Sequence, residues 1–477
     1  MDRAKRLGEE GIPRLLLRFS LPAIVGTLVN ALYNVVDRIF IGNGVGSLAL
    51  AGATIGFPIM IVTMAFGMLI GIGANALISI RLGQDRKDEA EHIMGNAAVL
   101  LLGISLFLSA LGVVFLEPLL KLFGASPDVL PYARDYLRII LWGAVFQTIG
   151  FGMNNFIRAE GNPFIAMLTM LIGAVLNTIL DPLFIIGFGW GVKGAAWATI
   201  LSQAAAAAWV LYHFFSGRSS LRLRPNNLRL NPAIVRGILA IGSAPFLMQL
   251  AASVLHALLN RSLVRYGGDV AISAMGVVMS ILMVILLPVI GISQGAQPII
   301  GFNYGARKYD RVKRTLKLAI SAATAVVSLG YIAVMLMPEA LVAAFNPGDP
   351  KLIAMGARAL RTFMLVLPVV GFQIIGANYF QAVSKPKQAM ILNLSRQVLI
   401  LIPALLILPR FLGLQGVLIA GPIADLSSAL ITGLWLWFEL KRLGRDHAQT
   451  LEQPALHPEG SVDLDDSAPA LAGAVKE

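Results

Sequence analysis

The sequence predicts an all-α membrane protein of twelve transmembrane helices in two six-helix lobes related by a parallel internal repeat. Three observations carry that reading. Hydrophobic residues make up 57% of the 477 and charged residues 13%, about half the charged share of a soluble domain. Apolar runs of roughly 20 residues recur, each long enough to cross a ~30 Å hydrocarbon core as a helix. The chain also matches itself at an offset of 222 or 223: Pro22 with Pro245, Gly73-Ala74 with Gly295-Ala296, Gly83 and Asp88 with Gly305 and Asp310, and Ala159, Pro163 and Met167 with Ala382, Pro386 and Met390. Gly191, Gly194 and Ala198 match Gly413, Gly416 and Ala420 in the same way. A period of that size is a duplicated domain, far longer than a solenoid repeat.

The twelve runs fall at about 15–42, 50–80, 91–115, 133–157, 164–187, 194–215, 234–262, 270–300, 316–337, 353–381, 388–408 and 414–440. Six spans per half is an even number, so both halves face the same way. The expected organisation is an amino-terminal lobe over 1–215, a basic linker over 216–232, a carboxy-terminal lobe over 233–446 and a disordered acidic tail over 447–477. The tail, ending near Asp463, Asp465 and Asp466, has too little apolar surface to fold.

The formal charge of +12 raises nucleic acid as a partner, but its distribution sets topology instead. The start, alternate loops and the final helix end hold 25 of the 38 Lys and Arg residues, among them Arg81, Arg86, Lys87, Arg222, Arg224, Arg307, Lys308 and Arg311. That positive-inside bias places both termini in the cytoplasm, and the partners expected are the bilayer and small molecules, with no nucleic acid. No signal peptide is expected, because the first 20 residues alternate charged and apolar and lack a small-residue cleavage site. There is no cysteine, so disulfides and thiolate metal sites are ruled out.

Taken in order, the runs carry these marks. The first holds Asp37 and the fifth Asp181, and an ionised carboxylate at the bilayer centre costs about 2.5–3.5 kcal/mol on insertion scales. Counted at 1.5 Å per residue, Asp37 lies roughly 28 Å beyond Arg18 and Asp181 roughly 26 Å beyond Phe164, so both reach similar depth in the outer half. The second run has Gly52 to Gly56 and Gly67 to Gly71 for close helix contact, and Met60, Met64 and Met68 share a helical face. Asn177, one turn before Asp181, can donate to its carboxylate. Pro182 frees the carbonyl of Thr178 as a ligand or hinge. Thr199, in the sixth run, reaches comparable depth from the other side. Two carboxylates, an amide oxygen and a hydroxyl suit a proton relay or a small hard cation such as Na⁺.

The duplicated half lacks these acids: Leu259 or Asn260 matches Asp37, and Pro403 or Ala404 matches Asp181. A purely structural need would apply to both halves, so the asymmetry favours function. The second half instead holds Gln249, His256, Asn260, Gln373, Asn378, Asn393, Arg396 and Asp425 at helix depth, read as interhelical hydrogen-bonding groups. Met275, Met279 and Met283 repeat the methionine face; flexible thioethers fill cores and also suit pockets that accept varied apolar ligands.

Enzyme signatures fail on context. Gly291-Ile292-Ser293-Gln294-Gly295 imitates a nucleophile elbow but lies within an apolar helix. Gly189 to Gly194 imitates a dinucleotide fingerprint with no preceding strand. No Gly-Lys pair exists for a P-loop, and His92, His213, His256, His447 and His457 lack metal spacing. No enzyme activity, cofactor or bound metal is expected, and energy must come from an ion gradient or a partner.

Four segments resemble the multidrug and toxic compound extrusion (MATE) transporters: Tyr33-Asn34-Val35-Val36-Asp37, Arg158-Ala159-Glu160-Gly161-Asn162-Pro163, Asn177-x-x-x-Asp181-Pro182, and Gln294 to Gly305, which reads QGAQPIIGFNYG. The resemblance covers residues 10–445 and implies a monomeric antiporter of the cell (inner) membrane of a bacterium or archaeon, expelling amphipathic, often cationic compounds in exchange for H⁺ or Na⁺ by rocker-switch alternating access. Its cation site maps onto Asp37, Asn177, Asp181 and Thr199, with Pro182 as helix hinge. A pocket drawing on Tyr33, Asn34, Met60, Met64, Asn154, Met275, Met279 and Gln297 is expected. Some members use acids in the seventh and tenth helices; here those offer His256 and Asn378, which makes the DinF-like branch the better comparison. The alternative is a flippase for a lipid or lipid-linked saccharide, which needs a strongly cationic cavity, and Arg396 is the cation placed at depth.

Overall fold

The computed structural model describes residues 5–217 and 219–452, and their regular structure is helical throughout. The first lobe contains α1 (Ile12–Gly44), α2 (Ser47–Gly83), α3 (Lys87–Val114), α4 (Leu130–Ala159), α5 (Pro163–Pro182) and α6 (Gly191–Phe215). The second contains α7 (Pro232–Gly268), α8 (Val270–Gly305) and α9 (Tyr309–Leu336). Next comes α10, formed by Pro350–Phe363 and Leu367–Ala382, bent by 51°. Pro368 opens the second half of α10 and cannot donate to the preceding turn, so the continuous run expected over 353–381 is broken. Among the described residues, ten helices can cross a membrane by length and apolarity, and the bent pair makes an eleventh. The 59-residue stretch Pro386–Gly444 would extend roughly 90 Å if straight. Its backbone turns at Gly413, φ 56° and ψ −136°, dividing it into α11 (386–412) and α12 (414–452), and giving twelve spans.

The helix of α12 runs through Glu452, six residues into the tail expected to be disordered; residues 453–477 lie outside the described residues. Side chains such as Phe107, Trp142, Leu329 and Phe411, 60%, 69%, 69% and 81% exposed, cover the outer surface. Hydrocarbon is the solvent that tolerates them.

Backbone geometry repeats along with sequence. The turns entering α2 and α8 use Gly46 (φ 116°) and Gly268 (φ 66°), and those entering α6 and α12 use Gly191 (φ 58°) and Gly413 (φ 56°). Both pairs are 222 apart and occupy a region that residues with a Cβ avoid. Asp85 (φ 60°) and Arg307 (φ 56°), again 222 apart, hold that conformation without being glycine. Two short helices that the apolar runs did not reveal, Leu116–Leu122 and Pro338–Ala343, start at the same offset.

The lobes meet along α1, α2, α7 and α8. A Cβ on Gly83 would overlap Phe302 O, and one on Gly305 would overlap Ile80 O, two contacts exchanged by the 222 shift. Asn75 Nδ2 donates to Gln297 Oε1 at 3.1 Å, and these two residues are themselves 222 apart, so a pseudo-two-fold axis passes between them. These contacts lie toward the end carrying the 216–231 linker, the linker side. The N-terminal segment is fastened there too: Asn303 Nδ2 donates to Leu7 O (2.9 Å), Lys308 Nζ to Gly8 O (3.0 Å) and Arg311 Nη2 to Glu10 O (2.6 Å). The linker is held to the first lobe by buried acids: Glu91 accepts from Arg222 N at 3.0 Å, and Glu160 binds His213 and Ser219.

Because Gly305 leaves no room for a side chain, Gly305→Val should force the linker-side seam apart at a cost of about 1–3 kcal/mol. In this cysteine-free chain, maleimide labelling at Ser79→Cys, a position with 0% exposure beside Gly301, should rise about tenfold. Unchanged labelling would show that the seam does not depend on this crossing.

Candidate functional site

Four helices of the first lobe bring polar groups to one point in the half of the bundle away from the linker. Asp37 comes from α1 and Asp181 from α5, and their carboxyl groups approach within hydrogen-bonding reach. Asn177 Nδ2 donates to Asp181 Oδ1 at 3.2 Å and lies 3.5 Å from Thr199 Oγ1 of α6. Asp181, Asn177 and Thr199 are 0%, 1% and 6% exposed, while Asp37 is half-buried, so the pair has an enclosed member and a more open one.

Three oxygens in this cluster, Asp37 Oδ1, Asp181 Oδ2 and Asn177 Oδ1, are shut off from solvent without a hydrogen-bond partner. A buried polar atom left that way costs about 1–3 kcal/mol. A proton or a small hard cation is the chemical species that satisfies acceptors of this kind. Among the described residues, no group of three or more His, Asp or Glu side chains is placed to hold a metal ion. Arg38 does not compensate Asp37 by an ion pair; its guanidinium lies over the Phe57 ring, 5.2 Å from the centroid. α5 changes character at this level. After Asp181-Pro182 it opens into a π-helical turn over Leu183–Gly187, a widening frequent at functional positions; a second one lies over Ser395–Leu401 in the other lobe.

Tyr136 of α4, 3% exposed, completes the cluster, lying beside Thr199 and in the field of both acids. The sequence reading missed it. Its signal was a hydroxyl six residues into α4 from the far side, the depth count that singled out Thr199. Tyr33, one turn before Asp37, feels both carboxylates.

The other expected pocket residues are dispersed. Asn34 is exposed and donates to Asn30 O at 2.7 Å. Met64 of α2 is 38% exposed, Met60 and Met279 are half-buried, and Met275 is 3% exposed within the core of the second lobe. Asn154 is 2% exposed, donating to Ala166 O at 2.8 Å and accepting from Arg158 Nη1 at 3.1 Å. Gln297 sits in the seam against Asn75. Asn154 and Gln297 therefore hold helices together in this conformation, away from the acid pair.

The MatE family profile matches residues 22–183 and again 245–406, one copy per lobe, and the chain belongs to that family. The multidrug export protein MepA of Staphylococcus haemolyticus (strain JCSC1435) is 28% identical over 444 residues, 93% of this chain and 97% of the relative. The MATE multidrug transporter DinF-BH, solved in complex with R6G, superposes with a TM-score of 0.85 at 42% identity, covering 92% of this chain and 98% of that one. An outward-facing MATE family multidrug resistance transporter of the MOP superfamily gives 0.86 at 26% identity, with 92% and 98% covered.

Sites with unpartnered buried acids sacrifice stability for function. Asp181→Asn supplies a donor and removes a charge, so its thermal midpoint in detergent should equal or exceed that of the parent protein. A fall of ten degrees or so would instead mark Asp181 as a structural group.

Proposed function

We propose that this MatE family member is a secondary active multidrug antiporter, exporting amphipathic, often cationic compounds in exchange for H⁺ or Na⁺. The observation that carries the reading is the Asp37–Asp181 contact with its unpartnered oxygens. Two carboxylates side by side in a low-dielectric bundle repel when both are ionised, and an ion between them relieves that repulsion. Arrival of the ion from outside pulls α1 and α5 together around Asn177 and Thr199, with the π-turn after Pro182 absorbing the change. The substrate is released to the outside as the packing of α1, α5 and α6 shifts. Substrate binding from the cytoplasm reverses the sequence and expels the ion inward.

Alternating access follows from the parallel repeat, with the lobes rocking about an axis along the membrane normal. The named inter-lobe contacts cluster at the linker side, which is cytoplasmic by the positive-inside rule, so this arrangement corresponds to an outward-open state. A gradient of one pH unit supplies about 1.4 kcal/mol per proton and 100 mV about 2.3 kcal/mol per charge, enough for concentrative export with one or two ions. The names of the relatives support the substrate class. The flippase reading has less support, since Arg396 is paired with Asp425 and its charge is already compensated.

In proteoliposomes, extrusion of a fluorescent cationic dye should fall at least about tenfold in Asp37→Asn and in Asp181→Asn, the loss of about 1.4 kcal/mol or more of coupling. Imposing a proton gradient alone and a Na⁺ gradient alone distinguishes the ion. Full exchange in both variants rejects the coupling site.

A further inference from the structure

On the linker side of the first lobe, Arg6, Arg18, Gly161, Asn162, Phe164 and Ile165 line a cavity of about 450 Å³. Its side-chain charge is wholly positive. Asn162 Nδ2 is shut off from solvent and has no hydrogen-bond partner, and Asn162 makes no capping bond to α5, which begins at Pro163. The first-turn N–H groups of Phe164 and Ile165 therefore stay available, and the helix end adds positive potential. The nearby acid, Glu10, reaches Arg14 and Arg18 at 3.5 Å each with both arginines exposed, which is weak pairing. Two guanidinium forks, an amide donor and free backbone N–H groups match the oxygens of a phosphate group. Phe164, 58% exposed, adds apolar surface at the mouth.

The second lobe is arranged differently at the matching position. Its corresponding turn, Ser384-Lys385-Pro386, has its cation engaged by Glu439. The lining comes wholly from the first lobe, and Arg6 connects it to the seam. Arg6 belongs to the segment whose Leu7, Gly8 and Glu10 carbonyls are held by Asn303, Lys308 and Arg311 of the second lobe, whereas residues 161–165 belong to the first.

We infer that this cavity binds a phosphate group, supplied by the headgroup of an anionic phospholipid, and that its occupation ties the lobes together on the linker side. The tie favours the linker-side-closed arrangement, a consequence that rests on the alternating-access reading; binding itself does not.

The full-length protein in detergent is titrated with phosphatidylglycerol and, separately, with inorganic phosphate, and bound ligand is counted by native mass spectrometry. Phosphatidylglycerol affinity should fall about tenfold in Arg6→Gln/Arg18→Gln and about twofold or less in Arg314→Gln/Lys317→Gln, which removes equal charge from exposed positions at the same face. Phe164→Glu, which sets an acid at an exposed helix start where it favours folding, should block the site as well. Retention of inorganic phosphate with the same variant dependence keeps the site and assigns a soluble source. Equal losses in both double variants, or none, overturn it. Unchanged labelling at Ser79→Cys with lipid bound overturns the link to the closed state. No drug or gradient enters these measurements, so their failure is separable from failure of the export reading.

Discussion

Two carboxyl groups that meet where solvent scarcely reaches set the terms for everything around them. Asp181 is fully buried and Asp37 half-buried, and neither has a cationic side chain bonded to it among the described residues. The side chains bonded around the pair are neutral: the Asn177 amide donates to Asp181 and faces the Thr199 hydroxyl. Such donors hold the carboxylates in position without cancelling their charge. On the proposed antiport reading, that charge is cancelled by an ion that comes and goes. A lysine or arginine in the same place would have made a stable ion pair and ended the site's responsiveness, which is the situation of Arg396 and Asp425 in the second lobe.

The duplication gives this asymmetry its mechanical meaning. Backbone turns, the glycine crossing of α2 with α8 and the Asn75–Gln297 bond obey the 222 shift, so the frame is symmetric. The chemistry is not. On the proposed alternating-access reading, a symmetric seam would let the two lobes pivot about their shared axis, and an ion held in one lobe would bias that pivot. Buried polar atoms without partners at the seam, including Ser20 Oγ, Asn75 Oδ1, Gln294 Oε1 and Gln297 Nε2, each lower the stability of this interface.

Much of the frame was legible in the sequence because bilayer thickness imposes a length on every span and duplication checks each boundary twice. The break in α10 and the helices Leu116–Leu122 and Pro338–Ala343 were not, since short amphipathic pieces leave no run of 20 apolar residues. At the site, Asp37, Asp181 and Thr199 were found from depth counting and Asn177 from its one-turn spacing before Asp181, and the structure brings the four side chains together. Tyr136 escaped because a tyrosine in an apolar run looks like core until a partner hydroxyl is placed opposite it. The methionine and amide positions proposed as pocket were scattered for a related reason: helical spacing tells which residues share a face but not whether that face meets lipid, core or the space between lobes.

The most direct test of the central claim is a count of the ions released when a cationic dye such as R6G binds to the purified protein in weakly buffered, Na⁺-controlled solution. Displacement of H⁺ or Na⁺ by the parent protein, and its disappearance when Asp37 and Asp181 are both changed to Asn, is the result predicted. Undiminished release from that double variant would contradict the account, placing the exchanging ion elsewhere in the molecule.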